Sequence, residues 1–161
     1  MPNHASAPQL RLEKLLFATD FSSYSDRARD FSASLVGALS AKMIVAHVIE
    51  PIPGVEREDP EFRTWYDKLE NDIRAKLEEE VQRLNAAGIS ARSELLWGSP
   101  WEEIIRFAEK SGCQLIVVGS HGIRTPEGRF LLGTTSHKIA LASHIPVLIV
   151  QGARSGTSIE T

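Results

Sequence analysis

Gln114-Leu115-Ile116-Val117-Val118-Gly119-Ser120-His121-Gly122 is an apolar run that empties into two closely spaced glycines, and Gly133-Thr134-Thr135 follows after a further ten residues. A short β-branched run bounded by glycine reads as a buried strand. A strand that ends this way, followed by a Gly-Thr that opens a helix, is how α/β proteins build a backbone cradle for phosphate. Gly119 and Gly122 permit positive φ and let the main chain approach a ligand with no Cβ in the way. Gly133, with Thr134, Thr135 and Ser136 just before His137-Lys138-Ile139-Ala140, reads as a helix start, where orphan amides and hydroxyls favour an anion. The same residues also serve as a tight turn and an N-cap, so spacing alone leaves both roles open.

On either side of this stretch, short apolar runs alternate with longer helical patterns, the order of a parallel sheet covered by helices. Five strands are expected, at Lys14 to Ala18, Met43 to Val48, Ser90 to Leu96, Leu115 to Val118 and Val147 to Val150. Ser25 to Leu39 places Ala28, Phe31, Leu35, Val36 and Leu39 at helical spacing, with Ser22 or Ser23 as cap. Glu61 to Ala87 carries a stripe of Trp65, Leu69, Ile73, Leu77, Val81 and Leu84 and stops at Gly88; Glu78-Glu79-Glu80 reads as its solvated face. Pro100 to Lys110, capped by Ser99, is the third helix. Glu50 to Pro60, with three further proline and glycine positions, is a loop after the second strand, of a kind that can act as a lid over a site at the strand ends. The fold expected is therefore α/β, a single-domain open parallel five-stranded sheet with helices on both faces.

A chain of 161 residues fits one domain. Residues 11–151 are expected to form it, with disordered segments at 1–10 and 152–161. A net charge of −3 without a sustained Lys/Arg block gives no electrostatic footprint for nucleic acid or an anionic membrane. The single cysteine, Cys113, excludes an intrachain disulfide and suits a reducing compartment. No secretory signal and no bilayer-spanning run is legible, so the expectation is a soluble cytoplasmic protein.

Ligands of open α/β sheets sit beyond the carboxyl ends of the strands, where strand order reverses. The first strand ends Phe17-Ala18-Thr19-Asp20-Phe21-Ser22-Ser23, an acidic residue among hydroxyls at a strand-to-helix turn. Asp20 there could accept from a ribose hydroxyl or a base edge, hold Mg2+ through water, or cap the helix.

These segments together resemble the universal stress protein family over nearly the whole chain. Lys14-Leu15-Leu16-Phe17-Ala18-Thr19-Asp20-Phe21-Ser22 looks like its first strand and adenine-side turn, and Ala46-His47-Val48 like the end of its second. Gly98-Ser99-Pro100 with Ile104, the Val117 to Gly122 segment, and His144-Ile145-Pro146-Val147-Leu148-Ile149-Val150 are similar to its third helix, glycine loop and closing strand. The resemblance implies a Rossmann-like, adenine nucleotide alpha hydrolase-like fold and binding of ATP, with or without Mg2+. Its Gly-x2-Gly-x9-Gly-(Ser/Thr) pattern implies phosphates and ribose on Gly119, Gly122, Gly133 and Thr134, and the resemblance implies adenine and ribose beside Ala18, Thr19, Asp20 and Val48, with Val118 and Thr135 also in the nucleotide-binding set. Two departures stand out: ten residues, not nine, separate Gly122 from Gly133, and Ala18 occupies a position where some ATP-binding members have proline.

The resemblance further implies a homodimer through the edge strand 145–150 and a stress-response role as a nucleotide-dependent switch or sensor. The alternatives are an interaction dimer that binds no nucleotide, or a slow ATPase or self-phosphorylating enzyme with Thr134, Thr135 or Ser136 as acceptors. Fast hydrolysis is not expected, since no Gly-x4-Gly-Lys-(Ser/Thr) loop is present. Arg124 and Arg129 could reach a γ-phosphate or simply be solvated. His47 and His121 end strands on one side of the sheet, but lack the further ligands of a metal site. Ser120 and His121 do not form a nucleophile elbow. Trp65, Trp97 and Trp101 read as packing residues.

Overall fold

The computed structural model describes residues 11–120, 123–124, 130–131 and 133–152. β1 (Lys14–Ala18) leads through α1 (Ser23–Leu39) to β2 (Lys42–Ile49), followed by α2 (Pro60–Ala86), β3 (Ala91–Trp97), α3 (Pro100–Lys110) and β4 (Leu115–Ser120). A two-residue antiparallel pair, β5 (Ile123–Arg124) with β6 (Phe130–Leu131), precedes α4 (Thr134–Ala142) and the closing strand β7 (Val147–Gln151). Five strands form one parallel sheet in the order β3-β2-β1-β4-β7. Every expected strand and helix is present, with ends within two residues of the sequence reading. Only the β5–β6 pair was unannounced, being too short to carry a periodic pattern.

Side chains alternate across the sheet with period two, which divides the core into two layers. Leu15, Phe17, Met43, Val45 and Val117 face α1 and α2, while Leu16, Ile44, Ala46, Ile116 and Val118 face α3 and α4. Parallel strands covered on both faces are near-continuously apolar, and residues 15–18, 43–46 and 115–118 at the centre of the sheet are, whereas the edge strand β3 carries Arg92, Ser93 and Glu94.

The helices depart from the expected stripes in three places. In α1 the buried positions are Ser25, Ala28, Ser32 and Val36, and Phe31 and Leu39 are each about half exposed. Small residues bring α1 close to the sheet, and the Ser32 hydroxyl is satisfied by donating to the Ala28 carbonyl at 2.7 Å. At the start of α2 the inward ring is Tyr66, not Trp65, because Tyr66 has a partner for its hydroxyl: it accepts from the Ile52 amide at 3.0 Å. Glu80 is not on the solvated face. It follows Ile73 and Leu77 along the buried stripe and receives Arg29 of α1 at 3.2 Å and Arg83 at 2.5 Å.

Glu80 therefore ties α2 to α1. Glu80→Ala is expected to lower stability by about 1–2 kcal/mol in urea denaturation, because Arg29 keeps Asp26 and Asp30 and is partly screened by water. An unchanged midpoint would show the pair to be neutral.

The loop between β2 and α2 is pinned to α2 and β3. The Arg57 guanidinium lies 4.5 Å from the Trp97 ring centroid and pairs with Glu70. Among the described residues, none of this loop lines the cavity at the strand ends.

Candidate functional site

The connections leaving β1 and β4 run to opposite sides of the sheet, which opens a crevice between their carboxyl ends. A cavity of about 530 Å³ occupies that crevice. This lies within the size range of small-molecule sites, roughly 300–1,000 Å³. One wall is apolar. Ala18, Ala46, Val48 and Val118 come from the same face of three adjacent strands, and Ile104 and Pro100 close it from the start of α3.

A second wall is the turn between β1 and α1. The Thr19 amide donates to the Ala46 carbonyl at 2.9 Å, continuing the sheet by one residue. Asp20 Oδ1 accepts from the Ser22 amide at 2.9 Å and from the Ser22 hydroxyl at 2.5 Å. Ser22 holds the N-cap position of α1 without making a side-chain cap bond, because its hydroxyl is committed to Asp20. Phe21 adopts φ +60°, a left-handed conformation that a bulky residue seldom takes, with its amide donating to Thr19 Oγ1 at 3.0 Å. The strain is met by contacts behind the turn: the Phe21 ring lies 4.8 Å from the His47 ring. His47 Nδ1 sits 2.8 Å from the Thr19 carbonyl oxygen, so that nitrogen carries the hydrogen and donates it. Burial holds the imidazole below its ordinary value, against the raising effects of this bond and of Asp20.

The third wall comes from β4 and α4. Gly119 lies within β4 and is absent from the positive-φ positions, so left-handed freedom is not its role. A Cβ there would stand 3.0 Å from the Tyr24 carbonyl oxygen and 3.2 Å from Ser25 Cα; the glycine lets the first turn of α1 seat against the strand. Gly133 is the N-cap of α4 with φ −58°, and among the described residues no side chain caps that end and no carboxylate lies in its first turn. The backbone amides of this helix start therefore give the cavity a positive end, with the hydroxyls of Thr134 and Thr135 beside them, while the Ser136 hydroxyl donates to the Gly133 carbonyl at 3.1 Å. Ser120, one position beyond Gly119, has a buried hydroxyl with no hydrogen-bond partner among the described residues. Such a group costs free energy unless something satisfies it.

Ala18, Thr19, Asp20, Val48, Val118, Gly119, Gly133, Thr134 and Thr135 all line this one cavity. Gly122, His121 and Arg129 lie outside the described residues. The cavity also takes Tyr24, Ser25, Ala46, His47, Pro100, Ile104 and Ser136. Ala46 follows from Val48 by strand alternation, whereas nothing local marks Tyr24, which sits in the first turn of α1 outside its buried stripe. Trp65, Trp97 and Trp101 are not among the lining residues.

Comparison with known proteins gives a consistent result. The sequence profile of the Universal stress protein family matches residues 11–151. Universal stress protein MJ0577 of Methanocaldococcus jannaschii is 27% identical over 89% of this chain and 97% of its own. Its solved structure superposes with a TM-score of 0.72 at 28% identity, covering 91% of this chain and all of the other. Universal stress protein YxiE of Bacillus subtilis is 30% identical over 86% of this chain and 98% of its own. A universal stress protein solved in complex with cAMP is 29% identical, with a TM-score of 0.66 over 89% of this chain and all of that one.

Proposed function

Because the chain belongs to the universal stress protein family, we propose that the cavity at the β1/β4 crevice binds an adenine nucleotide, ATP with or without Mg2+. One observation carries this reading. A single cavity joins an apolar slot, a carboxylate at its rim and a helix N-terminus with no side-chain cap among the described residues, which are the demands of a base, a ribose and a phosphate respectively. Val48, Ala18 and Val118 would flank the base, Asp20 and Thr19 the ribose, and Gly119, Gly122, Gly133, Thr134 and Thr135 the phosphates. The cAMP-bound relative supports the choice of adenine. The phosphates would be held by backbone dipole and hydroxyls, an arrangement suited to a nucleotide-dependent switch or sensor in the stress response.

The partner we propose is a second copy of this chain. β7 is an edge strand with apolar residues half-buried along Val147–Val150, and such an edge needs cover. Among the described residues, no helix is long and apolar enough to cross a membrane, and we place the protein in the cytoplasm.

The ten-residue spacer between Gly122 and Gly133 favours a second reading, an interaction dimer without nucleotide. Calorimetric titration of Mg·ATP into nucleotide-stripped protein separates the two. Saturable binding in the micromolar range, roughly −8 kcal/mol, is expected. No heat and no thermal stabilisation at millimolar ATP would leave only the dimer, whose mass in sedimentation velocity on the same sample is a separate readout: a monomer would refute the edge-strand pairing.

A further inference from the structure

The carboxyl end of β2 alternates so that Ala46 and Val48 face the cavity side of the sheet while the His47 side chain lies on the α1/α2 side with Phe21. From there His47 touches the site's second wall at two points. Its Nδ1–H holds the Thr19 carbonyl at 2.8 Å, and its ring packs against Phe21, the strained residue of the turn. The far side of the assembly comes from α2, where Lys76 Nζ lies 5.6 Å from the Phe21 ring centroid. One aromatic ring thus has both the Lys76 ammonium and a titratable imidazole beside it.

We propose that His47 is a positioning residue for the nucleotide site, holding the Thr19–Asp20–Phe21 turn from behind the sheet in its neutral form and releasing it when protonated. The turn has no regular secondary structure to enforce its shape, and a left-handed phenylalanine persists only where neighbours over-determine it. Neutral imidazole supplies both a donor for the carbonyl and an uncharged face for the ring. Imidazolium keeps the donor, and the Thr19 bond by itself favours that form, but burial of the charge is the larger effect, and a second positive charge joins the Phe21 contact already made by Lys76. The charged groups acting on it are Asp20, which favours protonation, and Lys76, which opposes it; burial is the largest effect and also opposes it. Turning the ring outward to water relieves that cost and frees the Thr19 carbonyl. The sign follows directly. Above the ordinary histidine value of about 6.5 the turn is held, and the hold is lost as pH falls below it through the lower folded-state value.

This inference rests on the nucleotide reading for its consequence but not for its test. In 1H–15N NMR between pH 5 and 8, the Nδ1 and Nε2 shifts of His47 report its tautomer and titration, and the amides of Asp20, Phe21 and Ser22 report the turn. Those amides are expected to move with the His47 titration and to stay still in His47→Gln, which keeps a donor but cannot titrate. Lys76→Met is expected to move the His47 midpoint upward. Adenosine, which gains or loses no proton in this range, is the ligand probe: its affinity is expected to fall about three- to tenfold from pH 7.5 to 5.5 in the wild type. The fall should be absent in His47→Gln, and His47→Ala should bind weakly at every pH. Turn amides indifferent to the His47 titration, or parallel pH profiles in wild type and His47→Gln, would overturn the proposal. Absence of adenosine binding by the wild type at every pH would count against the nucleotide reading, and the amide titration would still decide the role of His47.

Discussion

Gly119→Val is expected to eliminate detectable ATP binding at millimolar nucleotide and to lower stability by about 3 kcal/mol, at the upper end of what overpacking costs. The new Cβ would meet backbone, not a flexible side chain: the Tyr24 carbonyl oxygen at 3.0 Å and Ser25 Cα at 3.2 Å. Backbone of a helix cannot give way locally, so the first turn of α1 must lift as a unit. Ser25 is bonded to Thr19 through their hydroxyls at 3.2 Å and to the Ser22 carbonyl at 2.8 Å. Lifting α1 therefore pulls on the Thr19–Ser22 turn and on Tyr24, both part of the cavity wall. Gly88→Ala is the control. It sits at φ +82° with nothing within 4 Å of a new Cβ. It should cost about 1 kcal/mol through backbone strain and leave ATP affinity unchanged. Calorimetry with urea denaturation on both variants decides the matter. Normal ATP binding by Gly119→Val would mean that the seat of α1 on β4 does not set the shape of the site.

That prediction reverses the reason the sequence offered for Gly119, and the reversal shows where sequence reading ends. Gly119 was conspicuous because it follows Leu115–Val118, and position at the strand end did place it in the cavity. Which neighbour needs the missing Cβ depends on a helix about ninety residues earlier in the chain, and no local pattern carries that. Strands were legible because parallel strands covered on both faces are near-continuously apolar, and helices because Pro100, Gly88 and Gly112 punctuate their ends. Burial within helices was less so. The stripe through Trp65 and the exposed reading of Glu80 failed because an inward polar group is set by its partner: the Ile52 amide on the Tyr66 hydroxyl, Arg29 on the Glu80 carboxylate. Asp20 was visible as an acid at a strand end, but the strained Phe21 beside it, and the His47 that supports it, required the β1/β2 register to be known.

Thr134→Asp is expected to change stability and affinity in opposite directions. Thr134 opens α4 directly after the Gly133 N-cap, where the end of the helix has no carboxylate and no side-chain cap among the described residues. An aspartate in this first turn interacts favourably with the helix dipole, worth about 0.3–1 kcal/mol at a surface position, so the thermal midpoint should rise slightly. The same charge meets an incoming phosphate group at close range. Two like unit charges 5 Å apart at an effective dielectric near 20 repel by about 3 kcal/mol, which corresponds to a loss of ATP affinity of at least roughly tenfold even after screening by salt. Adenosine lacks the phosphates and should bind Thr134→Asp about as well as it binds the wild type. Thr134→Asn, of the same shape without the charge, should show neither effect to the same degree. Differential scanning calorimetry and titrations with ATP and adenosine read all three quantities on one preparation. Damage to the fold would lower stability and weaken both ligands together, so a stabilised protein that loses only ATP locates the phosphates at the α4 N-terminus. If ATP and adenosine weaken equally, or ATP is unaffected, the phosphates lie elsewhere and the ten-residue spacer has moved Gly133 out of the cradle.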